Sequence, residues 1–179
     1  REWLEKKMRG QYVADIEIER GENTLRIIIK TSRPGIIIGR NGEGALKLKS
    51  EIVDFMKKID ADTKVDFKLE IEEIKSPESS ASIVAQIIAE ALEKRMPFRR
   101  VMKQMVDKVM ANRDVLGLRI YLGGRLGGAE MARTEELKKG QIPLQTFRSD
   151  IDFKRYEAIL PYGNIGIKVW IYKGQIFNK

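Results

Sequence analysis

Two short stretches of this chain carry residue types that could do chemistry on a phosphate. The first is Gly39-Arg40-Asn41-Gly42, a four-residue turn with glycine at both ends, a cation and a small amide at its tip. Glycine leaves no side chain between an incoming group and the backbone, and the helix that follows such a turn offers N–H groups without intrahelical partners, so the chemistry implied is anion binding. The second is Arg99, Arg100 and Lys103. Their i, i+3 and i+4 spacing makes them neighbours on one face of a helix. Residues 94–113 hold seven cations and one anion, Asp107, an excess that favours contact with phosphate over a merely solvated face. Arg125, Arg133, Lys138 and Lys139 add a further set of candidate backbone contacts.

What is missing narrows the chemistry. The 179 residues contain no Cys and no His, which removes disulfides, the usual zinc ligands, thiol nucleophiles and imidazole acid–base catalysis. Paired acids at Glu72-Glu73 and Glu135-Glu136 sit in a lysine-rich chain with no ligand cluster or substrate logic, and read as solvated charge. The glycines at 123, 124, 127 and 128 lack the Gly-Lys-Ser/Thr ending of a phosphate-binding loop and the spacing of a dinucleotide fingerprint, so no cofactor or small-molecule substrate is expected. They instead predict a sharp turn from a strand into a helix beginning near Ala129. With 34 basic against 26 acidic residues the net charge is +8, pointing to a polyanion. That charge is uneven: residues 1–75 hold 16 basic and 15 acidic side chains, residues 76–179 hold 18 and 11. Ile36-Ile37-Ile38 and similar apolar runs are far too short to cross a bilayer, and no membrane partner is expected.

The elements that must position these residues follow from periodicity. Residues 1–9 repeat at helical spacing and Gly10 can end the helix. Strict alternation over Asp15-Ile16-Glu17-Ile18-Glu19, the turn-like Gly21-Glu22-Asn23 and the run Leu25 to Lys30 predict a hairpin. Arg33-Pro34-Gly35 punctuates the chain and Ile36-Ile37-Ile38 is expected to pack inward. After the glycine turn a helix carries Leu46, Leu48, Ile52, Phe55, Met56 and Ile59, and Val65, Phe67, Leu69 and Ile71 alternate as a half-buried strand. The order is α-β-β-α-α-β. Lys75-Ser76-Pro77 marks a boundary between units 1–75 and 76–179, Ser76 being placed to cap the next helix and Pro77 to open it. That helix buries Ile83, Val84, Ile87, Ile88, Ala91 and Leu92. A second runs from about Pro97 to Asn112 and buries Phe98, Val101, Met102, Met105, Val106, Val109 and Met110. Strands near 118–122, 151–160 and 165–177 complete a mostly antiparallel sheet, with Trp170, Tyr172 and Phe177 read as hairpin core.

These motifs together carry a resemblance. The run Arg33-Pro34-Gly35-Ile36-Ile37-Ile38-Gly39-Arg40-Asn41-Gly42 in an α-β-β-α-α-β unit resembles a type II KH domain, a module that clamps about four nucleotides of single-stranded nucleic acid. Residues 124–135 and the stretches Asp150-Ile151-Asp152 and Gly166 to Gly174 are similar to the C-terminal domain of the bacterial small-subunit ribosomal protein S-three family. The resemblance covers nearly the whole chain. It implies an α+β, two-domain, cytoplasmic RNA-binding protein: a type II KH domain over 1–75 and a C-terminal ribosomal domain over 76–179. It implies no catalytic residue and no metal. Arg99, Arg100 and Lys103 match a segment that lines the channel through which messenger RNA enters the small subunit and aids its unwinding; Gln104 stands where a further cation often occurs. The implied partners are small-subunit rRNA, messenger RNA, and the proteins S-ten and S-fourteen, with S-four and S-five at the channel. Beginning at Arg1, the sequence reads as trimmed at its start, without the short basic segment typical of the family. The alternatives are a KH-type factor acting outside the ribosome in transcription or assembly, and a DNA lyase, credited to some relatives outside bacteria, which needs a low-pKa lysine that no motif singles out.

Overall fold

The computed structural model describes residues 1–21, 24–59 and 66–177, and the chain divides into two compact units, 1–75 and 76–179. The expected turn residues Glu22 and Asn23, and Lys64 and Val65 at the start of the third strand, lie outside the described residues.

In the first unit, α1 (Glu2–Lys7) precedes a hairpin of β1 (Val13–Arg20) and β2 (Thr24–Thr31). The short α2 (Pro34–Ile38), one 3-10 turn at Arg40–Gly42, and α3 (Glu43–Ile59) lead to β3 (Asp66–Glu73). β2 is central, antiparallel to β1 and parallel to β3. This is the α+β arrangement of a type II KH domain, and its core gathers Leu4, Met8, Ile16, Ile27, Ile29, Ile37, Ile52 and Phe67. Trp3 stacks on Phe55 at 4.8 Å between centroids, pinning α1 to α3. Only Ile37 of the Ile36-Ile37-Ile38 run packs inward; Ile36 and Ile38 are exposed, because a single helical turn can turn one of three successive residues to the core. Leu46 is likewise on the outer face of α3.

The second unit places α4 (Ala81–Glu93) and α5 (Phe98–Met110) on one side of a fully antiparallel sheet of β4 (Gly117–Gly124), β5 (Arg133–Gly140), β6 (Ser149–Leu160) and β7 (Gly163–Gln175), in the order β5-β4-β7-β6. Beneath the helices lie Leu118, Ile120 and Leu122 of β4 and Ile165, Ile167, Val169 and Ile171 of β7, all out of solvent. α5 buries the predicted face, with Phe98 and Met110 partly covered at its ends.

Two further local expectations fail. The segment after the glycine loop is the edge strand β5, not a helix from Ala129. Glu-Glu-Leu-Lys-Lys is good helix sequence, but tertiary pairing with β4 from Gly124↔Arg133 to Gly117↔Gly140 outweighs propensity. Ser76 and Pro77 do not start α4. Residues Pro77–Ser79 form a separate 3-10 turn, and the N–H of Ala81 at the start of α4 donates 2.8 Å to Asp152 Oδ2 on β6. A carboxylate from across the fold therefore supplies both the acceptor and the negative charge that a helix start favours. Among the described residues no helix is long and apolar enough to cross a membrane.

Replacing that acceptor tests the tie. Asp152→Ala is expected to cost roughly 0.5–2 kcal/mol, read as a lowered denaturant midpoint with unchanged slope, while Asp152→Asn, which keeps an acceptor, is expected to lose less. Equal stability of Asp152→Ala and the parent would show that the bond contributes nothing.

Candidate nucleic-acid interface

The glycine turn is built from behind. Buried Thr31, at the end of β2, directs its hydroxyl at the carbonyls of Gln11 (3.1 Å) and Tyr12 (3.2 Å) and accepts the N–H of Arg33 (3.2 Å), fixing where the chain leaves the sheet. Arg33 lies over the Tyr12 ring at 4.3 Å, so this cation is engaged before the loop begins. Gly39 (φ 71°), Asn41 (φ 52°) and Gly42 (φ 81°) then take left-handed conformations that project Arg40 and Asn41 into solvent. Arg40 makes no ion pair with a described residue. The first turn of α3 carries Glu43, an anion at the positive end of the helix, which partly offsets the loop's attraction for phosphate. Beside the loop, Ile36, Ile37, Gly44, Lys47 and Leu48 line an open groove of about 210 Å³.

Gly44 was not singled out by the sequence pattern, although the loop depends on it. A β-carbon there would stand 2.5 Å from the Ile37 carbonyl oxygen, so only glycine lets α3 close against α2. A single glycine inside a helical pattern gives no such signal on its own.

The second group of cations is arranged by α5 and β5. Arg99, Arg100 and Lys103 lie on the exposed face of α5 as predicted, and Arg100 and Lys103 form no ion pair with a described residue. Arg99 is different: its guanidinium grips Glu135 of β5 through two bonds, of 3.0 and 3.3 Å. Arg133 approaches the same carboxylate at 3.8 Å, and both guanidinium groups lie within 5.6 Å of the Phe98 ring centre. The hydrogen bond from Arg99, then its charge, hold the Glu135 carboxyl below the ordinary glutamate range. Asp107, the lone anion of the stretch, pairs with Lys139 at 3.0 Å.

The four remaining candidates separate. Lys138 and Lys139 are sequence neighbours on a strand and point to opposite faces of the sheet, Lys139 toward α5 and Lys138 away from it. Arg125 donates to the carbonyls of Ala129 (2.8 Å) and Tyr162 (3.2 Å), stapling the glycine-rich loop to the β6–β7 turn. That loop, with Gly124, Gly127 and Gly128 at positive φ, drives Leu126 into the core, which accounts for its glycines. Tyr172 is buried, whereas Trp170 is half-buried on the face without helices and Phe177 is exposed beside Phe147 and Ile176, so hairpin core holds only for Tyr172. No group of three or more acidic side chains able to hold a metal occurs among the described residues. For the lyase alternative, Lys30 moves the wrong way: its bond to Glu17 raises its pKa.

Fold and loop define a two-domain RNA-binding protein of the KH class. Residues 1–79 match the KH domain family, and residues 88–171 match the family described as ribosomal protein S3, C-terminal domain. The chain is 46% identical over 178 residues to the small ribosomal subunit protein uS3 of Stutzerimonas stutzeri and to that of Pseudomonas aeruginosa, covering 99% of this chain and 75% of each relative. Against the protein of the same name from Chromohalobacter salexigens the identity is 45%, with 99% and 73% covered. The chain belongs to the uS3 family of small ribosomal subunit proteins.

Two outcomes test this geometry. Gly44→Ala is expected to destabilise the chain by roughly 1–3 kcal/mol, while Gly35→Ala, in a helix with nothing within 4 Å of the added carbon, is expected to be neutral or stabilising by up to about 1 kcal/mol; chemical denaturation separates them. The Glu135 carboxyl should titrate below the ordinary glutamate range by carbon NMR and move back toward it in Arg99→Ala, where only Arg133 still lowers it. Because its pKa is depressed on folding, its stabilising contribution is complete above the unfolded-state value and is lost as pH falls through the folded one. A titration unchanged by Arg99→Ala would show that the pair does not persist in solution.

Proposed function

We propose that this chain is a constituent of the small ribosomal subunit in the cytoplasm, a binding protein and not an enzyme, that binds rRNA in the head and lines the channel through which messenger RNA enters. Residues 1–75 act as the KH module, with Gly39, Arg40, Asn41 and Gly42 as the phosphate-facing loop. Residues 76–179 contribute the channel surface, where Arg99, Arg100 and Lys103 hold the incoming strand and aid its unwinding. Arg133 and Lys139 flank that surface; Lys138 serves a different face, and Arg125 positions a loop. Neighbouring proteins in this reading are S-ten and S-fourteen, with S-four and S-five around the channel.

The observation that supports it best is the outward pair Arg100 and Lys103, exposed on a rigid, core-anchored helix and left without a carboxylate among the described residues. No covalent step is involved. Cations hold phosphates electrostatically while translocation supplies the work, and each contact with a single strand adds about 0.7 to the salt slope of binding. Arg99 adds to the grip once a phosphate replaces Glu135 beside it, an exchange made easy because an exposed ion pair is worth only about 0–1 kcal/mol.

The test uses the tagged chain in cells. It should sediment with small subunits and resist a moderate salt wash, and Arg99→Ala with Arg100→Ala should assemble equally well yet slow translation through messenger hairpins. Unchanged hairpin read-through would overturn the channel role. A chain that stays at the top of the gradient would overturn the ribosomal one.

A further inference from the structure

The face of the second unit's sheet that α4 and α5 leave uncovered is not a generic polar surface. Strand register places four side chains side by side across it: Lys138 on β5, Arg119 on β4, Trp170 on β7 and Phe153 on β6, each the direct partner of the next. Two residues along the strands, the next row reads Glu136, Tyr121, Lys168 and Arg155. Partners in register share a face, with strands about 4.8 Å apart and same-face rows about 6.8 Å apart.

The side chains within this grid are already in stacking geometry. The Arg119 guanidinium lies 4.9 Å from the Trp170 ring centre, and Trp170 meets Phe153 at 5.0 Å and 35°. Lys168 stands over the Tyr121 ring at 5.4 Å. Phe153 remains 48% exposed. Of the four cations, Arg119 is held by Glu136 at 2.7 Å and Arg155 by Glu157 at 3.4 Å, while Lys138 and Lys168 have no carboxylate among the described residues.

We infer that this open sheet face is a second nucleic-acid surface, on which unpaired nucleotides of single-stranded RNA stack against Trp170 and Phe153 while Lys138 and Lys168 hold their phosphates. Aromatic faces accept any base, and the flanking cations supply the charge match that a polyanion requires. A protein partner would instead have to bring carboxylates for both Lys138 and Lys168. The surface is separate from the one formed by α5, which packs on the opposite side of the same sheet, so its failure and the failure of the channel reading are distinguishable.

The experiment uses the full chain carrying Trp3→Phe, which leaves Trp170 as the only indole. Titration with a single-stranded oligoadenylate of about ten nucleotides at low salt should quench Trp170 emission to saturation, and a duplex of equal length should quench far less. Phe153→Ala with Lys168→Ala should weaken the affinity read by that quench at least about fivefold. Phe153→Tyr, which keeps the ring, should leave it close to the parent. Absence of quenching, equal quenching by duplex, or an unaffected Phe153→Ala, Lys168→Ala variant would overturn the inference. If, in that event, Trp170 in intact subunits is shielded from acrylamide without cross-linking to RNA, the face docks a protein instead.

Discussion

Burial of one set of branched residues governs the second unit. Leu118, Ile120 and Leu122 on β4, and Ile165, Ile167, Val169 and Ile171 on β7, are sealed under α4 and α5. Side chains alternate along a strand with a period of two, so a slip of one residue would expose this whole set. Burying a Leu or Ile contributes roughly 1.5–3 kcal/mol, so the register of β4 against β7 has no competitor. The residues that alternate with them are then committed to the other face. Arg119, Tyr121, Lys168 and Trp170 stand in one plane because the residues between them are buried.

Electrostatics work within that frame and are more economical than the net charge suggests. Of the cations in residues 94–113, Lys94 pairs with Glu90, Lys108 with Glu78 and Arg99 with Glu135, and Asp107 goes to Lys139. Exposed pairs of this kind contribute little to stability. Their effect is on availability: they divide cations already occupied by protein from those, such as Arg100 and Lys103, that face solvent with their charge uncompensated. Glu135 is the pivot, because it draws Arg99 and Arg133 to one carboxylate over the Phe98 ring. Between them these residues form a compact cationic centre at the junction of α5 and β5.

Much of this was legible in the chain. The KH unit announced itself because alternation, the glycine turn and the helical stripes agree with one another, and the buried face of α5 could be read from spacing alone. What escaped notice depends on partners distant in sequence. β5 is written in helix-forming residues and becomes a strand only because β4 offers it an edge. The start of α4 is set by Asp152, 71 positions away from Ala81. Arg125 counted as a free cation until the carbonyls of Ala129 and Tyr162 came within reach, and Lys138 and Lys139, adjacent in sequence, ended on opposite faces once β5 proved to be a strand. The requirement for Gly44 is invisible in one dimension because it arises from the approach of α3 to the Ile37 carbonyl.

The two cationic surfaces differ in what they can hold. On α5 the groups without a carboxylate are long, exposed Arg and Lys side chains at a high-dielectric surface, so a phosphate contact there would be weak, screened by salt and blind to base identity. A strand held this way can advance one nucleotide without breaking any single strong bond, which suits RNA that must move. The open sheet face adds rings fixed by cross-strand neighbours, Trp170 against Phe153 and Arg119. Stacking on a fixed ring contributes about 1–3 kcal/mol per base and persists at salt concentrations that screen phosphate contacts. That combination suits RNA that must stay in place. In the proposed reading, one sheet, covered by helices on one side and by aromatic and basic residues on the other, separates a surface suited to passage from a surface suited to anchorage.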